Sequence, residues 1–129
     1  MDQVVFSITF TIAHPDNRVE YDLWYTSSDD RALDFILDFY DYNKGLGRDV
    51  EFTPRFVYWE CERCDQEILS KHCWSKGKYC AIDSTNDKHT GREIMLEDLR
   101  EKCIDAIYSS EHWWKYMSYV HRVCASYIG

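Results

Sequence analysis

The sequence predicts an α/β module with a βαβ core, a disulfide-bonded insertion and two C-terminal helices. Three observations predict it. Two segments rich in β-branched and aromatic residues, 19–25 and 50–59, flank a helical repeat at 29–42. Four of the six cysteines crowd into residues 61–80. Apolar residues then recur at helical spacing over 93–107 and again over 111–128.

The elements follow in chain order. Residues 4–12 alternate in polarity, as a half-buried strand does, and end at the turn His14-Pro15-Asp16-Asn17. Val19-Glu20-Tyr21-Asp22-Leu23-Trp24-Tyr25 alternates again, so the two segments are expected to pair as a hairpin with the first at the sheet edge. Ser27 or Ser28 offers an N-cap, and Asp29 and Asp30 suit the positive end of a helix dipole. Ala32, Leu33, Phe35, Ile36, Phe39 and Tyr40 then repeat at helical spacing until Asn43, Gly45 and Gly47 stop the helix. The next strand carries Pro54, which belongs at an edge or a bulge because it has no N–H to donate. Strand, helix, strand in this order favours a parallel pair joined by a crossover helix.

Residues 60–89 are polar and cysteine-dense, with loop signals at Gly77 and at Asp83-Ser84-Thr85-Asn86-Asp87. Beyond them Ile94, Leu96, Leu99, Cys103, Ile104 and Ile107 form one helical stripe. Trp114, Met117, Val120, His121 and Cys124 form the next.

Length and composition limit the function. One hundred and twenty-nine residues suit a single domain, and 16% aromatic content is far too high for a disordered tail. A net charge of −8 without a basic stripe repels a phosphate backbone, which makes nucleic acid a poor partner. No apolar run approaches the roughly 20 residues of a membrane-spanning helix, so no direct membrane contact is expected of this chain. Its even number of cysteines, Cys61, Cys64, Cys73, Cys80, Cys103 and Cys124, invites a disulfide framework and an oxidising compartment, with connectivity left open. No Asn-x-Ser/Thr acceptor is present.

Several runs carry a resemblance: Val19 to Trp24, Phe52-Thr53-Pro54-Arg55-Phe56-Val57-Tyr58-Trp59-Glu60-Cys61, Gly77-Lys78-Tyr79-Cys80-Ala81-Ile82-Asp83, Gly91-Arg92-Glu93-Ile94, Leu99-Arg100-Glu101-Lys102-Cys103, and Trp113-Trp114-Lys115-Tyr116 before Cys124. In order and approximate spacing they resemble the central luminal region of plant-type vacuolar sorting receptors. The resemblance implies a thioredoxin-like fold whose redox cysteines are displaced or lost, with Ser27 to Asp30 at the redox-equivalent position. It implies a fragment of a type I membrane receptor that lies in the lumen of the secretory pathway. Such a module contributes, without catalysis or cofactor, to recognition of soluble cargo or its peptide signal.

The candidate sites are weighed on their chemistry. Ser27, Ser28, Asp29 and Asp30, with Pro54, form a reasonable dock for an extended peptide. Trp113 and Trp114 are adjacent and must leave a helix in different directions, so one could be core and the other an exposed binding aromatic. The competing reading is that both cover the core. Cys61-x-x-Cys64 has the spacing of a thiol-disulfide oxidoreductase, the alternative function, although Glu62 disfavours a thiolate and only Arg63 favours one. Cys61, Cys64, His72, Cys73 and Cys80 could supply zinc ligands only through an irregular loop, and disulfides explain the same residues with less geometry. The five histidines belong to no motif that links them to a nucleophile.

Overall fold

The computed structural model describes residues 6–11, 17–83 and 87–123. Its main sheet has the order β1-β2-β3, with β1 (Ile8–Thr11) antiparallel to β2 (Val19–Tyr25) and β2 parallel to β3 (Val50–Phe56). Helix α1 (Asp30–Leu46) connects the parallel pair. The βαβ order read from the sequence is therefore the observed one, and the fold is mixed α/β.

Alternation in β2 decides which face is buried. Tyr21, Leu23 and Tyr25 point inward, in register with Phe52, Pro54 and Phe56 of β3. Over that face α1 lays Ala32 and Ile36, and the last helix, α4 (Ser110–Val123), lays Trp113, Trp114 and Met117. Burying each large side chain of this cluster stabilises the fold by roughly 2–3 kcal/mol. The opposite face stays polar: Arg55 Nε donates to Asp22 at 2.8 Å while its guanidinium covers Trp24, and Arg18 pairs with Glu51. Pro54 sits on edge strand β3 in continuous register, so it marks an edge without a bulge.

The chain after β3 is held by crosslinks, as its cysteines predict. Cys61–Cys64 closes a turn before α2 (Gln66–His72), and Cys73–Cys80 joins β4 (Cys73–Trp74) to β5 (Tyr79–Cys80) across a directly paired position. Trp59 and Cys80 exchange backbone hydrogen bonds of 3.1 and 2.9 Å, which tie the hairpin to the end of β3. Gly77 permits this closure, since it has φ +94° and a Cβ there would lie 2.3 Å from the Cys61 carbonyl oxygen.

Helix α3 (Gly91–Ile107) opens with a capping box in which Thr90 and Glu93 satisfy each other's backbone N–H. Its first residue is where the insertion meets it. A Cβ on Gly91 would lie 2.0 Å from Ala81 O, and Gly91 N donates to His72 Nδ1 at 3.0 Å. Arg92 stacks over Trp74 and donates to the carbonyls of Cys73 and Leu69, taking up acceptors at the end of α2.

Four expectations need correction. Helix α1 continues past Asn43 and Gly45 and stops at Gly47, where φ is +60°. Its N-cap is Asp29, whose carboxylate takes the N–H of Arg31, and not Ser27 or Ser28. The stripe Leu96, Leu99, Cys103 and Ile107 is exposed, while Ile94 and Met95 are buried and Ile104 packs against the core. Among the described residues Cys103 is a free thiol, exposed on that outer face. Cys124 lies outside the described residues, and so do the ends of the first predicted strand and the last predicted helix.

Candidate functional site

The residues singled out from the sequence separate into two groups. Ser27 to Asp30 form the turn between the end of β2 and the start of α1, and Pro54 lies beside that end of β2 on β3. Both reach α3: Ser27 N donates to Asp98 Oδ1 at 3.2 Å, Ser27 Oγ to Ile94 O at 3.4 Å, and Lys102 Nζ to Pro54 O at 3.2 Å. Pro54 itself is buried, and its carbonyl meets α3 through Lys102.

Trp113 and Trp114 do not join this surface. They are 0% and 2% exposed, which removes the reading that one of them is an exposed binding aromatic. Adjacent positions on α4 do point apart, but the sheet and α1 wall in both directions. Trp113 packs on Phe52 and Tyr25, and Trp114 on Phe52 and Phe39.

Beneath the turn lies a cluster that sequence reasoning missed. Asp98 and Glu101 are three residues apart on α3, hence on one face, and they are 0% and 2% exposed. Tyr25 donates its hydroxyl to Glu101 Oε2 at 2.5 Å. Asp98 Oδ2 is buried with no hydrogen-bond partner. Burial pushes the Asp98 carboxyl up to about 6, against the opposing pull of bonds from Ser27 and Tyr58. Burial also holds Glu101 well above the ordinary carboxylate range, although the Tyr25 hydroxyl works the other way. The Tyr25 hydroxyl is raised too, first by burial and then by Glu101, so it remains a donor. Tyr58 is raised by burial and by the Asp98 charge. The turn thus rests on a carboxyl that gains a proton on mild acidification. The one available signal was an i, i+3 acid pair on the inner side of a helix with apolar residues all round.

Cys61, Cys64, Cys73 and Cys80 are consumed in two disulfides. No group of three metal-ligating side chains is found among the described residues. Cys64 precedes Asp65, the N-cap of α2, whose carboxylate accepts from Ile68 N at 2.9 Å. That carboxylate occupies the helix end that would otherwise lower a thiol's pKa.

Residues 19–127 match the family described as the vacuolar sorting receptor thioredoxin-like domain. The chain belongs to this family. Among relatives of the vacuolar sorting receptor type, it is 33% identical to vacuolar-sorting receptor 7 of Arabidopsis thaliana over 134 residues, covering 89% of the chain and 21% of the relative. Vacuolar-sorting receptor 1 of Pisum sativum is 32% identical over 126 residues, covering 83% and 20%. Vacuolar-sorting receptor 6 of Arabidopsis thaliana is 29% identical over 147 residues, covering 96% and 23%. The chain spans about a fifth of the length of the curated relatives it matches. No solved structure matches it significantly. The thioredoxin-like match begins at Val19, the first residue of β2, so β1 lies outside it. No described helix is long and apolar enough to cross a membrane.

Proposed function

We propose that the chain is a luminal, non-enzymatic module of a larger vacuolar sorting receptor, and that it contributes to recognition of soluble cargo through the Ser27 to Asp30 turn and the α3 surface beside it. The family match supports the receptor role. The observation that carries the rest is the chemistry of the turn: a thioredoxin-like β2–turn–α1 junction with two serines and two aspartates where a redox site needs thiols. Without a thiol, the junction offers hydroxyls, backbone groups and carboxylates, which suit a peptide and not disulfide exchange. Asp30 is exposed in the first turn of α1 and favours a basic or polar group on the cargo.

The test is capture of a soluble protein that bears a vacuolar sorting signal by chains carrying Ser28→Arg and Asp30→Arg. Asp30 is exposed and Ser28 half-buried, its hydroxyl 3.2 Å from Thr26 Oγ1, while the contacts to Asp98 and Glu101 come from Ser27 and Tyr25. Affinity falls by about tenfold or more, equivalent to about 1.4 kcal/mol, if the turn is the contact. Unchanged capture by a folded double variant would remove the turn from the cargo site.

The alternative is a thiol-disulfide oxidoreductase using the Cys61–Cys64 bond, whose two cysteines are half-buried and not sealed in the core. Its first requirement is a mixed disulfide with client proteins in Cys64→Ser, and absence of any trapped species eliminates it.

A further inference from the structure

The insertion turns two aromatic rings outward. Trp74 on β4 and Tyr79 on β5 stand opposite each other and are 41% and 44% exposed, while the neighbouring pair, Cys73 and Cys80, is buried and joined by a disulfide. Strand neighbours point to opposite faces, so burying the disulfide sends both rings into solvent. The crosslink also keeps the strands that carry them in register, which lowers the ordering cost of any contact made there. Cations rim the pair. The Arg92 guanidinium lies 4.2 Å from the centre of the Trp74 ring, and Lys78 Nζ lies 5.4 Å from that of Tyr79. Arg92 is fixed in place, because its Nε donates to Cys73 O at 2.7 Å and its Nη2 to Leu69 O at 3.2 Å, which leaves Nη1 for an outside acceptor.

The charge around these rings runs against that of the chain. Residues 68–82 include Lys71, Lys76 and Lys78 and no acid, although the net charge of the whole is −8. The acids on either side are engaged: Glu67 pairs with Lys71, and Asp83 is buried and accepts the N–H groups of Lys88 and His89. The antiparallel bridge from Trp59 to Cys80 brings Glu60 up to Tyr79, so the Trp74 end, with Arg92 and the exposed Lys76, is the more positive. We propose that this face of the hairpin is a docking surface for an acidic peptide segment, which sets a carboxylate on Arg92 and an aromatic or aliphatic side chain against Trp74. Charge complementarity selects the partner, and Trp and Arg are the residue types that carry most binding energy at protein interfaces. A long polyanion meets the repulsion of the acidic chain along its length, whereas a short peptide touches only the patch. The surface does not rest on the role of the Ser27 to Asp30 turn, which suits a partner of the opposite charge.

Two measurements test this. In the first, the labelled peptide Glu-Asp-Phe-Asp-Glu is titrated by fluorescence anisotropy into the oxidised chain, beside Lys-Arg-Phe-Arg-Lys and a heparin oligosaccharide. The acidic peptide should bind at least about tenfold more tightly than the basic one and weaken as salt is raised. Trp74→Ala, and separately the pair Lys76→Glu and Lys78→Glu, should each lower its affinity by about tenfold or more while the thermal unfolding transition is kept. In the second, the same peptide is added to the unaltered, nitrogen-15-labelled chain, so that the outcome does not depend on any variant folding. The indole N–H resonance of Trp74 should move and those of the buried Trp113 and Trp114 should stay. Equal affinity for the basic peptide, unchanged affinity in folded variants, binding of the oligosaccharide alone, or a Trp74 resonance that does not move overturns the proposal.

Discussion

Asp98 is a carboxyl taken out of water, and its burial outweighs the bonds from Ser27 and Tyr58 and so fixes the sign of its effect on stability. Its native pKa, about 6, lies above the ordinary aspartate value. Between pH 4 and 6, roughly, the unfolded chain gives up a proton that the native chain keeps, so stability falls as pH rises through that window. Above it the loss is constant at roughly 2–3 kcal/mol. Glu101, raised in the same direction, adds to the trend. Asp98→Asn keeps an oxygen for Ser27 and removes the titration. Thermal unfolding should show the unaltered chain more stable at pH 5 than at pH 7.5, and the Asn variant flatter with pH and more stable than the parent at pH 7.5. Stability that rises with pH equally in both proteins would contradict the burial account. Little of this cluster was legible beforehand, because an acid on a helix reads as solvated until its partners from β2 and the turn are known. The tryptophans show the same limit: spacing gave their divergence, but burial of both depended on two walls contributed by residues far away in sequence.

At the level of elements, α3 departs furthest from its sequence pattern. Apolar residues occur on both of its sides, so the period announces a helix without choosing its inner face. Contacts with β3, α4 and the insertion select the side of Ile94, Asp98 and Glu101, and Leu96, Leu99 and Ile107 are left outside. The consequence is measurable by chemical denaturation. Leu99→Gln should change stability by no more than about 0.5 kcal/mol, whereas Ile94→Gln should cost about 2 kcal/mol or more. Equal costs would mean the helix is rotated from its described face. By contrast, β2, α1 and β3 were readable because each has one period and one buried side. The β4–β5 hairpin was not, since strands of two residues carry no period and owe their pairing to Cys73–Cys80, Gly77 and the bridge to Trp59.

For the whole molecule, the division of labour follows from where crosslinks and packing fall. One face of the sheet carries the core beneath α1 and α4, while the insertion, too polar to form a core of its own, depends on two disulfides and on the close approach of Gly91. Under the proposed function, the four cysteines of the insertion serve structure and the turn after β2 serves recognition. The claim is tested most directly by titrating a sorting-signal-bearing cargo protein with the oxidised chain after Cys103 has been alkylated. The account predicts saturable, reversible binding that alkylation does not alter. Absence of binding by the oxidised chain, together with covalent capture of the same cargo by Cys64→Ser, would contradict it and assign the Cys61–Cys64 pair to catalysis.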